Sequence, residues 1–266
     1  MTAPVPELSA GLHGRATADP GWTYRGLRLL WKVLAWLLGI RLELQGAEHL
    51  PRDATGRPTG AWILAGMPHR TWIDAFPTWI LLPTRPRLAF FGDAQMMARS
   101  WQRRFLIERL GGVVPIPSSR DPKVVEMHLA AARALLDAGA IFELFPETGP
   151  ASELGHLRKL GAGLGYVALR NQVPIVPVIF GGNDELYWGR RIIVRVLPPL
   201  DPRSLAGLAA EAPLPEPGSS AERAAVHRLT ATLAETVAPA VMDVHLASVP
   251  PPGTVKRGRF LTTMFR

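Results

Sequence analysis

From Trp22 to Ile40 apolar residues dominate a stretch of helical period, and its charges, Arg25, Arg28 and Lys32, recur at spacings of three and four and so share one stripe. That pattern predicts an amphipathic helix with a narrow basic edge and a broad apolar face. Beyond it the period changes repeatedly. Arg41 to Gln45 alternates as a first strand, and the apolar run Ala61 to Ala65 reads as a short buried strand that stops at Gly66 and Pro68. A short helix is expected over Asp74–Leu82, interrupted or kinked by Pro77, and a core strand over Arg87–Gly92. Next come a helix over Ala94–Leu110 with Arg99, Arg103 and Arg104 in its middle, the stop Gly111-Gly112, and a strand over Val113–Ile116.

Asp121-Pro122 opens a helix that Gly139 ends, with aspartate as N-cap and proline at the first helical position. Ala140–Phe145 is the following strand, and Lys159–Arg170 a helix rich in small residues. Val173–Phe180 and Arg191–Leu197 complete the strands, the first with prolines at its ends or edges. Residues 198–220 carry no clear pattern, and Ala221–Leu246 is a long helical pattern bent near Pro239. Strands and helices therefore alternate, which predicts an α/β fold: one domain with a central, mostly parallel or mixed sheet flanked by helices, preceded by a membrane-surface helix. The expected divisions are a flexible arm over 1–21, the amphipathic helix over 22–40, the α/β core over 41–200, a Pro/Ala-rich loop and helix over 201–248, and a basic tail over 249–266.

Composition sharpens this. The 266 residues are 47% hydrophobic with 8 Trp, and carry 30 Lys and Arg against 22 Asp and Glu, a formal charge of +8. Such a chain suits an anionic membrane surface or a phosphorylated substrate. The Trp22–Ile40 helix would lie in the headgroup region, cations on lipid and indoles at the interface; a core helix with a basic edge in water has the same period. The tail, with Lys256, Arg257 and Arg259, reads as a disordered basic end or a second membrane contact. No run of about eighteen uncharged apolar residues predicts a spanning helix, and no signal-peptide core is evident. The absence of cysteine excludes disulfides, thiolate zinc sites and a thiol nucleophile. No recognition helix or RNP-type aromatic pattern supports nucleic-acid binding. The expected location is the cytoplasmic face of the membrane, by peripheral association.

The chemistry concentrates after the Ala61–Ala65 strand. His69 sits on the turn and Asp74 about one helical turn on, near enough to accept a hydrogen bond from the imidazole, fix its tautomer and stabilise the imidazolium. The carboxyl end of a strand in an α/β sheet is where such a pair finds a crevice.

Four strand-end segments, taken in order, resemble the blocks of the glycerolipid acyltransferase family, the PlsC-like lysophosphatidic acid acyltransferase group. His69-Arg70-Thr71-Trp72-Ile73-Asp74 resembles its H-x4-D block. Gly111 to Arg120 resembles the second, Phe145-Pro146-Glu147-Thr148-Gly149 the F-P-E-G-T-R block, and Val173 to Val178 the fourth. The resemblance implies acyl transfer from acyl-CoA or acyl carrier protein to a lysolipid hydroxyl, 1-acylglycerol-3-phosphate above all. His69 would be the general base and Asp74 its orienter, and neither metal nor cofactor is required. It further implies Glu147 as a residue that binds the acceptor or orders the site, with Thr148, Gly149 and Thr71 beside it. Arg120, Arg158 and Lys159 would be phosphate cations. Two departures matter: Pro68 stands where the family commonly has Asn, and Thr148-Gly149-Pro150 replaces Gly-Thr-Arg, removing the arginine expected at the acceptor phosphate. A glycolipid or aminolipid acceptor, or a lipid-binding protein without turnover, are the alternatives this departure opens. A hydrolase is disfavoured, since no G-x-S-x-G elbow is present.

Overall fold

The computed structural model describes residues 22–70, 74–93, 113–116, 121–149 and 153–259. The N-terminal arm, Thr71, the predicted 94–110 helix, Arg120 and the last seven residues lie outside them. The fold class is the α/β arrangement expected, with mostly parallel strands flanked by helices. Its contacts gather in two compact units that interleave along the chain.

The first unit is formed from residues up to Leu29, Pro51–Ile63 and Pro83–Leu144. Here β3 (Leu88–Asp93) lies between β4 (Val113–Ile116) and β5 (Ile141–Leu144), parallel to both. Helix α3 (Pro122–Asp137) packs on β5 through Ala131, Ala132, Leu135 and Leu136. Its start follows the sequence: the Asp121 carboxylate accepts from the Lys123 amide at 2.9 Å, occupying one of the orphan donors of the first turn. Gly139, at φ 76°, ends it. The chain before Trp62 packs closely on this turn: a Cβ on Gly60 would stand 1.7 Å from the Gly139 carbonyl oxygen.

The second unit holds Leu30–Leu50, Leu64–Leu82 and everything from Phe145 onward. Its strands run in the order β1 (Arg41–Gln45), β7 (Arg191–Val196), β6 (Ile175–Gly181), β2 (Trp62–Met67, of which Leu64–Met67 belong to this unit). β1 is parallel to β7, with Glu43 accepting from Arg191 at 2.7–2.8 Å across the pair, and β7 is antiparallel to β6. Every residue of β2 and β6 is buried, which explains their unbroken apolar runs. Helices α2 (Ala75–Leu81), α4 (Ala162–Asn171), α5 (Pro202–Leu205) and α6 (Ser220–Ser248) belong to this unit.

Helix α6 buries Ala225, Val226, Leu229, Leu233, Val237, Val241 and Val244, the three-and-four spacing of a one-sided helix. It runs as one element through Pro239, which lies on the exposed face, where the ring and the missing amide bond meet water. In α2, Pro77 falls within the first turn, where a proline displaces no helical hydrogen bond, so the expected interruption is absent. Helix α4 starts at Ala162, not Lys159. The reason is local: Thr148 donates its amide to the Lys159 carbonyl at 3.1 Å and Gly161 donates to that of Pro146, holding 159–161 extended against the loop. The unpatterned 198–220 stretch contains α5, capped by Asp201 accepting from the Ser204 amide at 2.8 Å.

Helix α1 (Trp22–Leu37) presents three arcs at its ~100° step per residue. Tyr24, Leu27, Trp31 and Ala35 face inward, and Arg25, Arg28 and Lys32 form the basic edge. Trp22, Leu29, Leu30, Val33, Leu34, Trp36 and Leu37 form an exposed apolar arc, with Trp22 and Trp36 87% and 76% exposed. None of the described helices is long and apolar enough to cross a membrane.

Candidate active site

Strand β2 delivers the site. Its buried residues carry the chain out through Pro68 to His69, whose side chain is 27% exposed while Asp74, at the start of α2, is fully buried. His69 Nδ1 and Asp74 Oδ2 are 3.0 Å apart. Asp74 makes no helix-cap bond to α2. Its carboxylate turns back instead: Oδ2 also accepts from the Arg70 amide at 2.6 Å, and Oδ1 accepts from Asn183 Nδ2 at 2.9 Å. An ionised carboxylate only accepts, so each contact is matched in polarity. With Nδ1 committed to the carboxylate, Nε2 on the far edge of the ring is the nitrogen left to take a proton.

The ring is also held on its face. Phe145, the first residue after β5, stacks on His69 with centroids 4.4 Å apart and planes 28° from parallel, and Phe180 of β6 backs Phe145 at 6.3 Å. Gly66 makes room for both phenyl rings; a Cβ there would be 2.8 Å from Phe145 Cε1 and 3.0 Å from Phe180 Cε2.

Glu147 ties the loop of the third block to that of the first. One oxygen accepts from the His69 amide, and the other from the Arg158 amide at 2.7 Å. Burial pushes its carboxyl above the usual range, outweighing the two amide bonds and the charges of His69 and Arg70. A short bridge between Glu147 and Leu160 completes the tie.

Of the remaining predicted residues, Arg158 comes close: its Nη1 lies 2.9 Å from where a Cβ on Gly149 would stand, so the guanidinium covers the glycine of the third block. Thr148 and Lys159 are exposed on the same loop pair. Arg70 reaches the Glu153 carbonyl at 2.9 Å. Thr71 and Arg120 lie outside the described residues. Among the described residues no group of three His, Asp or Glu is arranged to hold a metal. Sequence reasoning passed over Asn183 and gave Phe145 no role. The signal for Asn183 was its place two residues past the end of an apolar strand, behind Gly181-Gly182.

A buried carboxylate behind a partly exposed imidazole can remove a proton from a bound hydroxyl and return it to a leaving group. A sequence model of the family described as Acyltransferase matches residues 41–181, just over half of the chain and all the described parts of this site but Asn183. The chain belongs to the acyltransferase family. It is 27% identical over 193 residues to 1-acyl-sn-glycerol-3-phosphate acyltransferase alpha of Mus musculus, an alignment covering 67% of this chain and 61% of the relative. The 1-acyl-sn-glycerol-3-phosphate acyltransferase of Limnanthes alba is 26% identical, over 68% of this chain and 64% of its own length. The acyltransferase chain thus spans about three-fifths of these curated relatives. Its fold is also that of the solved 1-acyl-sn-glycerophosphate (LPA) acyltransferase PlsC of Thermotoga maritima. The TM-score is 0.53, at 18% identity, over 80% of this chain and 79% of the other.

Proposed function

We propose that the protein transfers a fatty acyl group from a thioester, acyl-CoA or acyl carrier protein, to the free hydroxyl of a lysophospholipid, 1-acylglycerol-3-phosphate being the acceptor its relatives name. The observation that carries this reading is the His69–Asp74 pair at 3.0 Å, with Nε2 making no hydrogen bond among the described residues, inside the matched family region. His69 Nε2 takes the hydroxyl proton as the oxygen attacks the thioester carbonyl. The C–S bond then breaks, and the imidazolium returns the proton to the departing thiolate. Asp74 keeps the ring in the receptive tautomer and faces the cation that forms. A thioester is already activated, so positioning and one base suffice.

Glu147 orders the site by holding the His69 and Arg158 backbones together, and contact with the acceptor is not needed for that role. Arg158, over Gly149, offers a cation in the loop whose own arginine is missing, which supports a phosphate-bearing acceptor over a glycolipid or aminolipid. Thioester consumption with a panel of lysolipids tests the scheme. Purified protein should acylate the lysophospholipid and His69→Ala should lose at least 100-fold in rate, within the ~10²–10⁴-fold worth of a general base. A His69→Ala protein as active as the parent refutes the mechanism, and liposome binding without turnover favours a lipid-binding protein.

Association with the membrane is peripheral in this reading. The exposed apolar arc of α1 beside its basic edge supports it. The described part of the tail contributes less charge than its composition promises, because Lys256 and Arg259 pair with Glu185.

A further inference from the structure

Strand β6 ends at Gly181, and Gly182 follows in the turn, so that two glycines aim the next residue inward. A Cβ on Gly181 would stand 2.6 Å from Val244 Cγ1 and 2.7 Å from the Val244 carbonyl oxygen, so the strand end lies directly on α6. Gly182, at φ 81°, turns the chain where a Cβ would be 2.2 Å from the Arg191 carbonyl oxygen. The residue that emerges from this turn is Asn183. It is 3% exposed, and its Nδ2 is 2.9 Å from Asp74 Oδ1.

The loop behind it is cross-tied by Arg190, itself 3% exposed. Nε donates to the Gly182 carbonyl at 2.8 Å, Nη1 to Tyr187 Oη at 3.1 Å and the Ser248 carbonyl at 3.2 Å, and Nη2 to Asp184 Oδ1 at 2.9 Å. A buried guanidinium satisfied in this way leaves the preceding turn little freedom. The loop is therefore a rigid mount, and the group it presents to Asp74 is an amide.

The choice of amide has a chemical reason. A lysine or arginine at this point would form its own ion pair with Asp74 and compete with the imidazolium for it. A hydrocarbon would leave the buried carboxylate with one donor fewer. Asparagine supplies direction without charge. It holds Oδ1, so that Oδ2 keeps its alignment on His69 Nδ1 and the Arg70 amide.

We propose that Asn183 is a positioning residue for acyl transfer, fixing the Asp74 carboxylate that orients His69. The proposal rests on the reading of His69 as base and adds a residue, from outside the matched family region, on which the pair depends.

Two variants test it in the full-length protein. Asn183→Leu keeps the branching of the side chain and removes the donor; its kcat/KM should fall on the order of 100-fold, as misplaced catalytic groups do, with KM for the thioester little changed. Asn183→Asp puts a second carboxyl against the first, and two carboxyls at this distance share a proton. Protonated, the new carboxyl donates to Asp74 as the amide did; ionised, it repels it. The ratio of variant to parent kcat/KM should therefore rise as pH falls. The other charges about the pair, Arg70, Glu147 and the Arg190–Asp184 bridge, are the same in both proteins and cancel in the ratio. A ratio that stays flat with pH overturns the proposal, whether or not the leucine variant folds; so does a folded leucine variant with parental kcat/KM. His69→Ala measured alongside separates the failures. An active His69→Ala refutes the base, whereas an inactive one beside a flat ratio refutes Asn183 alone.

Discussion

Asp74 is a carboxylate with no exposure to water, and it persists there because donors surround it: the His69 ring, the Arg70 amide and the Asn183 amide. Changing it to asparagine keeps the shape and inverts half the polarity. The neutral amide no longer faces the imidazolium, and an NH2 group placed on the ring side meets His69 Nδ1 only as an acceptor, which moves the ring proton to Nε2, the atom proposed to receive one. Asp74→Asn should therefore cost about 10²–10⁴-fold in kcat with a small change in KM. Steady-state thiol release measures it, and a loss below tenfold would refute the orienting role. A residue that makes no bond is as constrained. Gly66→Ala would press on Phe145, at 2.8 Å, and through Phe145 on the His69 ring stacked against it. Overpacking of this kind costs about 1–3 kcal/mol of stability. The rate of acyl transfer should fall more than tenfold in protein that remains folded by circular dichroism, because the displaced ring is the proposed base. Parental activity in Gly66→Ala would show that Phe145 does not set the pose of His69.

At the scale of elements, what was legible in the sequence was what local chemistry decides. Asp121-Pro122 and Gly139 bound α3 as their capping preferences require, and the apolar runs of β2 and β6 are core strands. What escaped was set by partners distant in sequence. The start of α4 is moved by hydrogen bonds to the 146–148 loop, and the Asp74 side chain is drawn away from its helix by His69 and Asn183. One local signal was there to be read: Ser219 and Glu222 have the spacing of a capping box. Ser219 Oγ accepts from the Glu222 amide at 3.0 Å, and Glu222 accepts from the Gly218 amide at 2.6 Å and from Arg170 Nε at 2.7 Å. Burial alone would raise the Glu222 carboxyl, but the Arg170 bonds and charge, the Gly218 amide and Arg223 together hold it below its ordinary value of 4.5. A group depressed in the folded state adds stability that is present above its unfolded value and is lost as pH falls through the folded one. Glu222→Gln should therefore cost about 2 kcal/mol near neutrality, and the gap to the parent should close as pH drops below 4.5. Urea melts at pH 7 and pH 3.5 measure it; an equal gap at both would mean that Glu222 acts by packing, not charge.

Across the whole molecule, the ordered blocks made the His69–Asp74 pair and Glu147 legible, because each ends or follows a strand and strand ends gather chemistry. The direction of the Asn183 side chain and the placement of Arg158 on Gly149 were not legible, because tertiary packing decides where a lone asparagine or arginine points. The charge of +8 and the α1 pattern raise a different matter, how a protein without a spanning helix among its described residues would reach the lipid acceptor proposed for it. In α1 the apolar side chains of Trp22, Leu29, Leu30, Val33, Leu34, Trp36 and Leu37 lie on the exposed face, with Arg25, Arg28 and Lys32 along one edge. Seating that arc at the boundary of headgroups and acyl chains removes apolar surface from water and brings the cations to anionic lipid. A fully buried aliphatic side chain gains about 1.5–3 kcal/mol, and a cation near the surface about 1 kcal/mol. The two contributions separate experimentally. Val33→Asp with Leu37→Asp should lower partitioning onto vesicles of mixed phosphatidylglycerol and phosphatidylcholine by at least 100-fold at every salt concentration. Arg25→Gln with Lys32→Gln should lower it by on the order of tenfold at low salt, and by less as screening grows. Both variants should keep the parental turnover of a short-chain acceptor dissolved below its aggregation limit, since neither touches His69, Asp74 or Glu147. Co-sedimentation unchanged by the aspartates would mean that the outer face of α1 is not the surface that meets the membrane.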